Sequence, residues 1–245
     1  MIRDTGQLPL PLPTRTALGW QDFFVSPSNA LAVAQVENWR NWPTRKLILA
    51  GPRGAGKTHL AHIWAQMADA RIVDADALRG ADIPALAEGP VCVENVEKIA
   101  GLRADEEALF HLHNLVLAGG GALMLTATRP PALWNLSLPD LASRMMGAQL
   151  AHISEPDDTL LAALLAKLFA DRQIVPAPEV IAYLVRHMPR SYATAARIVA
   201  ALDAAALAHQ RRVSRPMAAR ILAQVVPPGA EEQGTSRNDP GGAPR

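Results

Sequence analysis

The run GPRGAGKT, Gly51 to Thr58, has the residue types and spacing that bind phosphate. It fits G-x-x-x-x-G-K-[ST] and lies between an apolar run and a helical stretch, the context such a loop needs. Glycines let successive backbone N–H groups turn inward around an anion. Lys57 reaches the β- and γ-phosphates of a nucleotide, and Thr58 offers a hydroxyl to Mg²⁺. The start of the following helix adds partial positive charge. Gly51, Pro52, Arg53, Gly54, Ala55, Gly56, Lys57, Thr58 and His59 are therefore assigned to a site for ADP or ATP with Mg²⁺.

A loop of this kind needs an acid at the end of a neighbouring strand to hold the cation. VCVEN places Glu94 there, with Asn95 directly after it. Glu94 is one methylene longer than the usual Asp, and the Asn95 amide cannot take a proton from water. Both features predict that nucleotide binding outlasts hydrolysis. Seven histidines are scattered, with no set that could be defended as metal ligands.

These residues need strands to position them. KLILA (46–50), RIVD (71–74), VCVE (91–94) and ALMLTAT (122–128) are short apolar runs of the buried-strand kind. Helical patterns at about 27–42, 57–67 and 105–117 fall between them. Alternating strands and helices imply a parallel sheet covered on both faces. After His152 only helices are expected, at 157–171, 178–188, 192–209 and 216–225. The fold class is thus α/β, a nucleotide-binding domain with a parallel sheet, followed by an α-helical subdomain. The polar tail 227–245 has no Leu, Ile, Val or aromatic residue and is expected to be disordered.

Composition narrows the field. The chain has 245 residues, 49% hydrophobic and 19% charged, an ordinary globular balance. No apolar run approaches the roughly 18 residues of a membrane helix, so no membrane partner is expected. The segment MIRDTGQLPLPLP lacks the apolar stretch of a secretory signal. The lone Cys92 rules out an internal disulfide and the usual structural zinc sites, and fits a reducing, cytoplasmic setting. Net charge is +1, but residues 181–226 hold seven arginines and one acid. Five tryptophans, at 20, 39, 42, 64 and 134, stand apart from basic clusters and read as packing residues rather than a base-stacking surface.

Together the phosphate loop, VCVENVEKIAG, LMLTATRPP, LPDLASRM and the helical C-terminal part resemble AAA+ ATPases of the replication-initiator DnaA group. The resemblance is nearest to the short Hda-type members and covers roughly residues 7–226. It implies an AAA+ domain over 21–153 and an α-helical lid over 154–226. It makes 126–128 the sensor 1 strand end, Arg144 an arginine finger acting in trans, and Arg190 the lid's sensor 2 arginine, with Arg197 as a rival. Thr128 stands where the group commonly has Asp, which again argues against a fully equipped hydrolytic site. The partners implied are DnaA and the DNA polymerase III sliding clamp (β subunit), with DNA met only through the clamp; self-association stays open. Only the polar tail follows Val226, so the DNA-binding module that follows the lid in DnaA is not expected here.

In the N-terminal arm, 1–20, prolines at 9, 11 and 13 alternate with leucines at 8, 10 and 12. The prolines prohibit a helix and favour an extended chain that loses little entropy on binding. The segment resembles the clamp-binding peptides of replication proteins, which makes Gln7, Leu8, Leu10 and Leu12 the docking residues.

Overall fold

The computed structural model describes residues 23–209 and 211–226. Five strands, β1 (Lys46–Ala50), β2 (Arg71–Asp74), β3 (Val91–Glu94), β4 (Leu123–Ala127) and β5 (Gln149–His152), form one parallel sheet in the order β2-β3-β4-β1-β5. The helices are α1 (Ala30–Glu37), α2 (Lys57–Ala68), the single turn α3 (Ile83–Leu86), α4 (Arg103–Ala118), α5 (Pro139–Met146), α6 (Asp158–Ala170), α7 (Pro178–His187), α8 (Tyr192–His209) and α9 (Arg215–Val225).

Strands β1 and β4 are buried along their whole length, as parallel strands are when helices cover both faces. Their side chains still alternate. Leu47 and Leu49 face α1 and α2, packing with Val33, Val36, Leu60 and Trp64. Ile48 faces the other way, with Leu109 and Leu112 of α4 and Leu141 and Met145 of α5. Trp42 stacks on Trp64 at 5.4 Å and Trp39 meets Trp64 edge-on at 6.3 Å, so these tryptophans are packing residues. Trp134 is also buried, its indole N–H donating to the Arg129 carbonyl.

Register brings the carboxyl ends of four strands to one rim. Ala50 lies opposite Ala127, Val93 opposite Leu125, and Asp74 opposite Glu94. Ligands of open parallel sheets bind outside such a rim. Helices α6 to α9 pack around a separate core that includes Leu161, Phe169, Leu184, Ile198 and Leu222. The Asp157 carboxylate accepts the Leu160 N–H at 2.8 Å and so caps α6.

Several local features differ from the sequence reading, the unanticipated helices α3 and α5 and the end of α1 at Glu37 among them. The first helix starts at Ala30 rather than near 27. Asn29 is used to close the turn before it, accepting the Ser26 N–H and donating to the Phe24 carbonyl, both at 2.9 Å. Strand β5 was not anticipated. Its sequence QLAH is short, it pairs with β1 alone, and Leu150 is exposed. No helix among the described residues is long and apolar enough to cross a membrane.

Candidate nucleotide site and an outlying arginine

The phosphate loop leaves β1 at Ala50 and enters α2 at Lys57. Gly54 (φ +77°) and Gly56 (φ +99°) take backbone conformations that L side chains rarely adopt. A Cβ at Gly54 would also stand 2.1 Å from Ser191 Oγ. Lys57 is nearly buried, and its ammonium donates to the carbonyls of Gly51 (2.7 Å) and Pro52 (2.9 Å). Burial lowers its pKa from the ordinary lysine value; Glu97 opposes that shift, Arg53 adds to it, and Glu94 opposes it. Ala55 is buried, Arg53 and Thr58 are exposed, and the His59 ring meets Phe23 edge-on at 5.0 Å.

Glu94 ends β3, one strand beyond β4 from the loop. Its Oε1 is buried and has no hydrogen-bond partner among the described residues. A divalent cation of the Mg²⁺ type takes hard oxygen ligands and usually shares them with phosphate. The Thr58 hydroxyl and Glu94 carboxylate suit that role. No group of three His, Cys, Asp or Glu side chains that could hold a metal occurs among the described residues. Phosphate oxygens would therefore have to complete the shell.

Asn95 has a definite structural use. It sits in the left-handed region (φ 57°), its N–H donates to Thr126 Oγ1 at 3.1 Å, and its amide donates to Asp74 Oδ2 at 2.6 Å. Lys98 reaches the same Asp74 carboxylate at 2.9 Å. Two residues on, Glu97 turns back to the rim. Its Oε1 accepts the Thr128 N–H at 3.2 Å, while Oε2 is buried without a partner among the described residues.

The lid touches the loop directly, the Tyr192 N–H donating to the Gly54 carbonyl at 2.9 Å. Arg190 points elsewhere. Its guanidinium lies 2.6 Å from Asp158 Oδ1 and donates to the Pro156 carbonyl, tying the start of α8 to the start of α6. Arg197 is exposed on α8.

Arg144 belongs to the other end of the sheet. It is in the last turn of α5, exposed, with its guanidinium 5.8 Å from the Phe110 ring centre. Its carbonyl accepts from Lys46 at 2.8 Å, and Lys46 opens β1. Lys46 stands five positions before Gly51 along β1, roughly 16 Å at the usual rise. Burial, then the Arg144 charge, lower the Lys46 pKa. The entry to α5 is held by Glu106 of α4, a buried carboxylate. It accepts the N–H groups of Gly101 (2.7 Å), Ser137 (3.0 Å) and Leu138 (2.7 Å) and the Ser137 hydroxyl (2.9 Å).

Residues 157–222 match the family described as the Hda lid domain. The chain also superposes on domain III of the Thermotoga maritima replication initiation protein DnaA. That match has a TM-score of 0.74 at 18% identity and covers 89% of this chain and 100% of that one. The helical part of the chain is thus similar to the Hda lid, and the chain as a whole has the fold of DnaA domain III. Longer DnaA structures share the fold. The replication initiator DnaA bound to AMPPCP and single-stranded DNA gives a TM-score of 0.64 at 19% identity, over 78% of this chain and 67% of that one. AMPPCP-bound DnaA from Aquifex aeolicus gives 0.59 at 20%, over 69% of this chain and 60% of that one. The chain thus spans only about 60% of the Aquifex chain.

On this fold, Gly51 to Thr58, His59 and Glu94 gather at one rim, with Arg144 at the opposite end of β1. Gln7, Leu8, Leu10 and Leu12, Trp20 and the tail 227–245 lie outside the described residues. Sequence reasoning did not single out Glu97, Glu106, Ser191 or Tyr192. Glu106 had no local signal, because Ser137 and Leu138 are over thirty positions away. Glu97 did have one, an acid two residues past the expected pair.

Proposed function

We propose that this chain is an Hda-type AAA+ regulator of chromosome replication initiation. It binds ADP or ATP with Mg²⁺ on the loop 51–58, with Thr58 and Glu94 holding the cation. It docks on the DNA polymerase III sliding clamp through Gln7, Leu8, Leu10 and Leu12. From there it inserts Arg144 beside the γ-phosphate of DnaA-bound ATP and promotes hydrolysis in the partner's site. An arginine so placed neutralises charge that develops in the transition state.

The observation that carries this reading is the separation of Arg144 from its own phosphate loop. Lys46 and the loop stand at opposite ends of β1, and Arg144 packs at the Lys46 end with its side chain exposed. An arginine there serves a neighbour's nucleotide rather than its own. Arg190, held by Asp158 and Pro156, would have to release both to meet a phosphate.

The test is hydrolysis of DnaA-bound ATP with clamp-loaded DNA, with and without this chain. Wild type accelerates it and Arg144→Ala does not. A chain that binds nucleotide and clamp yet leaves DnaA unaffected would instead be an interaction protein. Alanine at Gln7, Leu8, Leu10 and Leu12 together abolishes clamp binding with an unchanged melting temperature. Each buried leucine is worth roughly 1.5–3 kcal/mol.

A further inference from the structure

Three positions at the end of β3 could supply a carboxylate to chemistry at the phosphate loop: 94, 95 and 97. Position 95 is excluded twice over. Its side chain is an amide, and that amide is spent on Asp74 at 2.6 Å. Asn95 is a strut between β2 and β3, and its own N–H is committed to Thr126 Oγ1. The Glu94 carboxylate is the one that suits the cation. Glu97 remains.

The short helical turn Val96–Ile99 turns Glu97 back toward the rim. One carboxylate oxygen is fixed by the Thr128 N–H at the end of β4, at 3.2 Å. The other, Oε2, is buried and has no hydrogen-bond partner among the described residues. Thr128 follows Ala127, whose carbonyl accepts the Gly51 N–H of the phosphate loop at 3.2 Å, so Glu97 is fixed one residue from the loop's own anchor on β4. A carboxylate with one oxygen fixed and the other unpartnered can accept from a bound water in one orientation. Thr128 contributes its backbone here, so the site requires no acidic side chain at 128.

We propose that Glu97 is a catalytic residue of this chain's own nucleotide site, the carboxylate that orients and deprotonates the attacking water. The inference rests on the nucleotide reading above. In the step, the water oxygen forms a bond to the γ-phosphorus of a nucleoside triphosphate as its proton passes to Glu97 Oε2. The bond from that phosphorus to the bridging oxygen breaks, and the electron pair leaves on the diphosphate. The proton then passes from Glu97 to the released phosphate. The slow turnover expected of the isolated chain is thereby assigned to Glu97.

The experiment compares wild type with Glu97→Gln in the full chain. Glutamine keeps the side-chain length and an oxygen for the Thr128 N–H, so folding persists. ATP and ADP affinities are measured by titration with Mg²⁺, and ATP cleavage in a single turnover with protein in excess. Affinities should stay within about threefold while the cleavage rate falls at least about tenfold, since general bases contribute about 10²–10⁴-fold. Glu97→Asp should recover part of the loss. Cleavage by Glu97→Gln at the wild-type rate overturns the proposal. So does a wild-type chain that binds ATP in a Lys57-dependent way and cleaves none of it. A joint loss of affinity and melting temperature assigns Glu97 a structural role and also overturns it. Nucleotide binding that survives Lys57→Ala unchanged would instead sink the underlying site.

Discussion

The two ends of β1 carry opposite designs. At the carboxyl end the phosphate loop is largely backbone, its lysine is nearly buried on two carbonyls, and the lid presses on Gly54. At the amino end, Lys46 is buried beneath an arginine whose charge is left in solvent. One end presents fixed backbone dipoles in an enclosed loop; the other holds a single long cation out on a supported helix. On the function proposed above, the contrast teaches that one strand can position a site within the molecule and a residue offered to a neighbour's site. A backbone cradle suits a bound nucleotide, because it costs no side-chain entropy to order. An exposed guanidinium suits a partner, because it can reach without moving the fold.

The largest expected effect breaks the comparison at the amino end. Arg144→Ala should remove about 10³-fold or more of the stimulated hydrolysis in DnaA, with this chain's own nucleotide affinity and melting temperature unchanged. Arg144→Lys should rescue poorly, since an ammonium lacks the rigid fork. Equal losses in folding, docking and stimulation would make Arg144 structural and erase the distinction between the two ends.

At the carboxyl end, Lys57→Ala should weaken nucleotide binding by about 10–100-fold, the worth of a charge-assisted hydrogen bond. It should also abolish the thermal stabilisation that nucleotide confers by mass action. Stimulation of DnaA tests the comparison further, because it should fail only to the extent that bound nucleotide orders the lid.

Glu106 sharpens the contrast, since it supports the arginine end without touching either site. Glu106→Ala leaves buried donors unpaired and should cost roughly 3 kcal/mol of stability, read by denaturant melting. Burial alone would raise the pKa of this carboxyl. The N–H groups of Ser137 and Gly101, the Ser137 hydroxyl and the Leu138 N–H outweigh it, and the folded value lies below the ordinary 4.5. Its contribution is therefore complete above about pH 4.5 and declines as pH falls through that value toward the depressed folded one. In Glu106→Gln, acid unfolding should lose that component.

The smallest effect concerns Asn95. On sequence grounds a carboxylate at 95 could raise turnover. The geometry puts it against Asp74 instead, 2.6 Å from the present amide. Asn95→Asp should lower stability by roughly 1 kcal/mol with no gain in ATP cleavage. A clear gain would return the water-activating role to position 95 and remove it from Glu97.

What the sequence determined by itself is whatever is written in local pattern. KLILA, RIVD and VCVE have the apolar content of buried strands, and the bounds of β1, β2 and β3 agree with the reading residue for residue. GPRGAGKT is a single contiguous motif whose backbone geometry depends on its own glycines. The four lid helices were legible from their periodicity. Tertiary structure decided the rest, because it depends on groups far apart in the chain. QLAH became a strand only by pairing with β1, just over a hundred residues earlier. Glu106 acquired its meaning from donors that the chain returns to it after α4 and β4. Arg144 was separated from the phosphate loop by the length of β1, and Asn95 was taken out of chemistry by Asp74 on the next strand. A spacing pattern specifies which residues are near in sequence. Only the packed sheet specifies which charges share a rim and which are held apart.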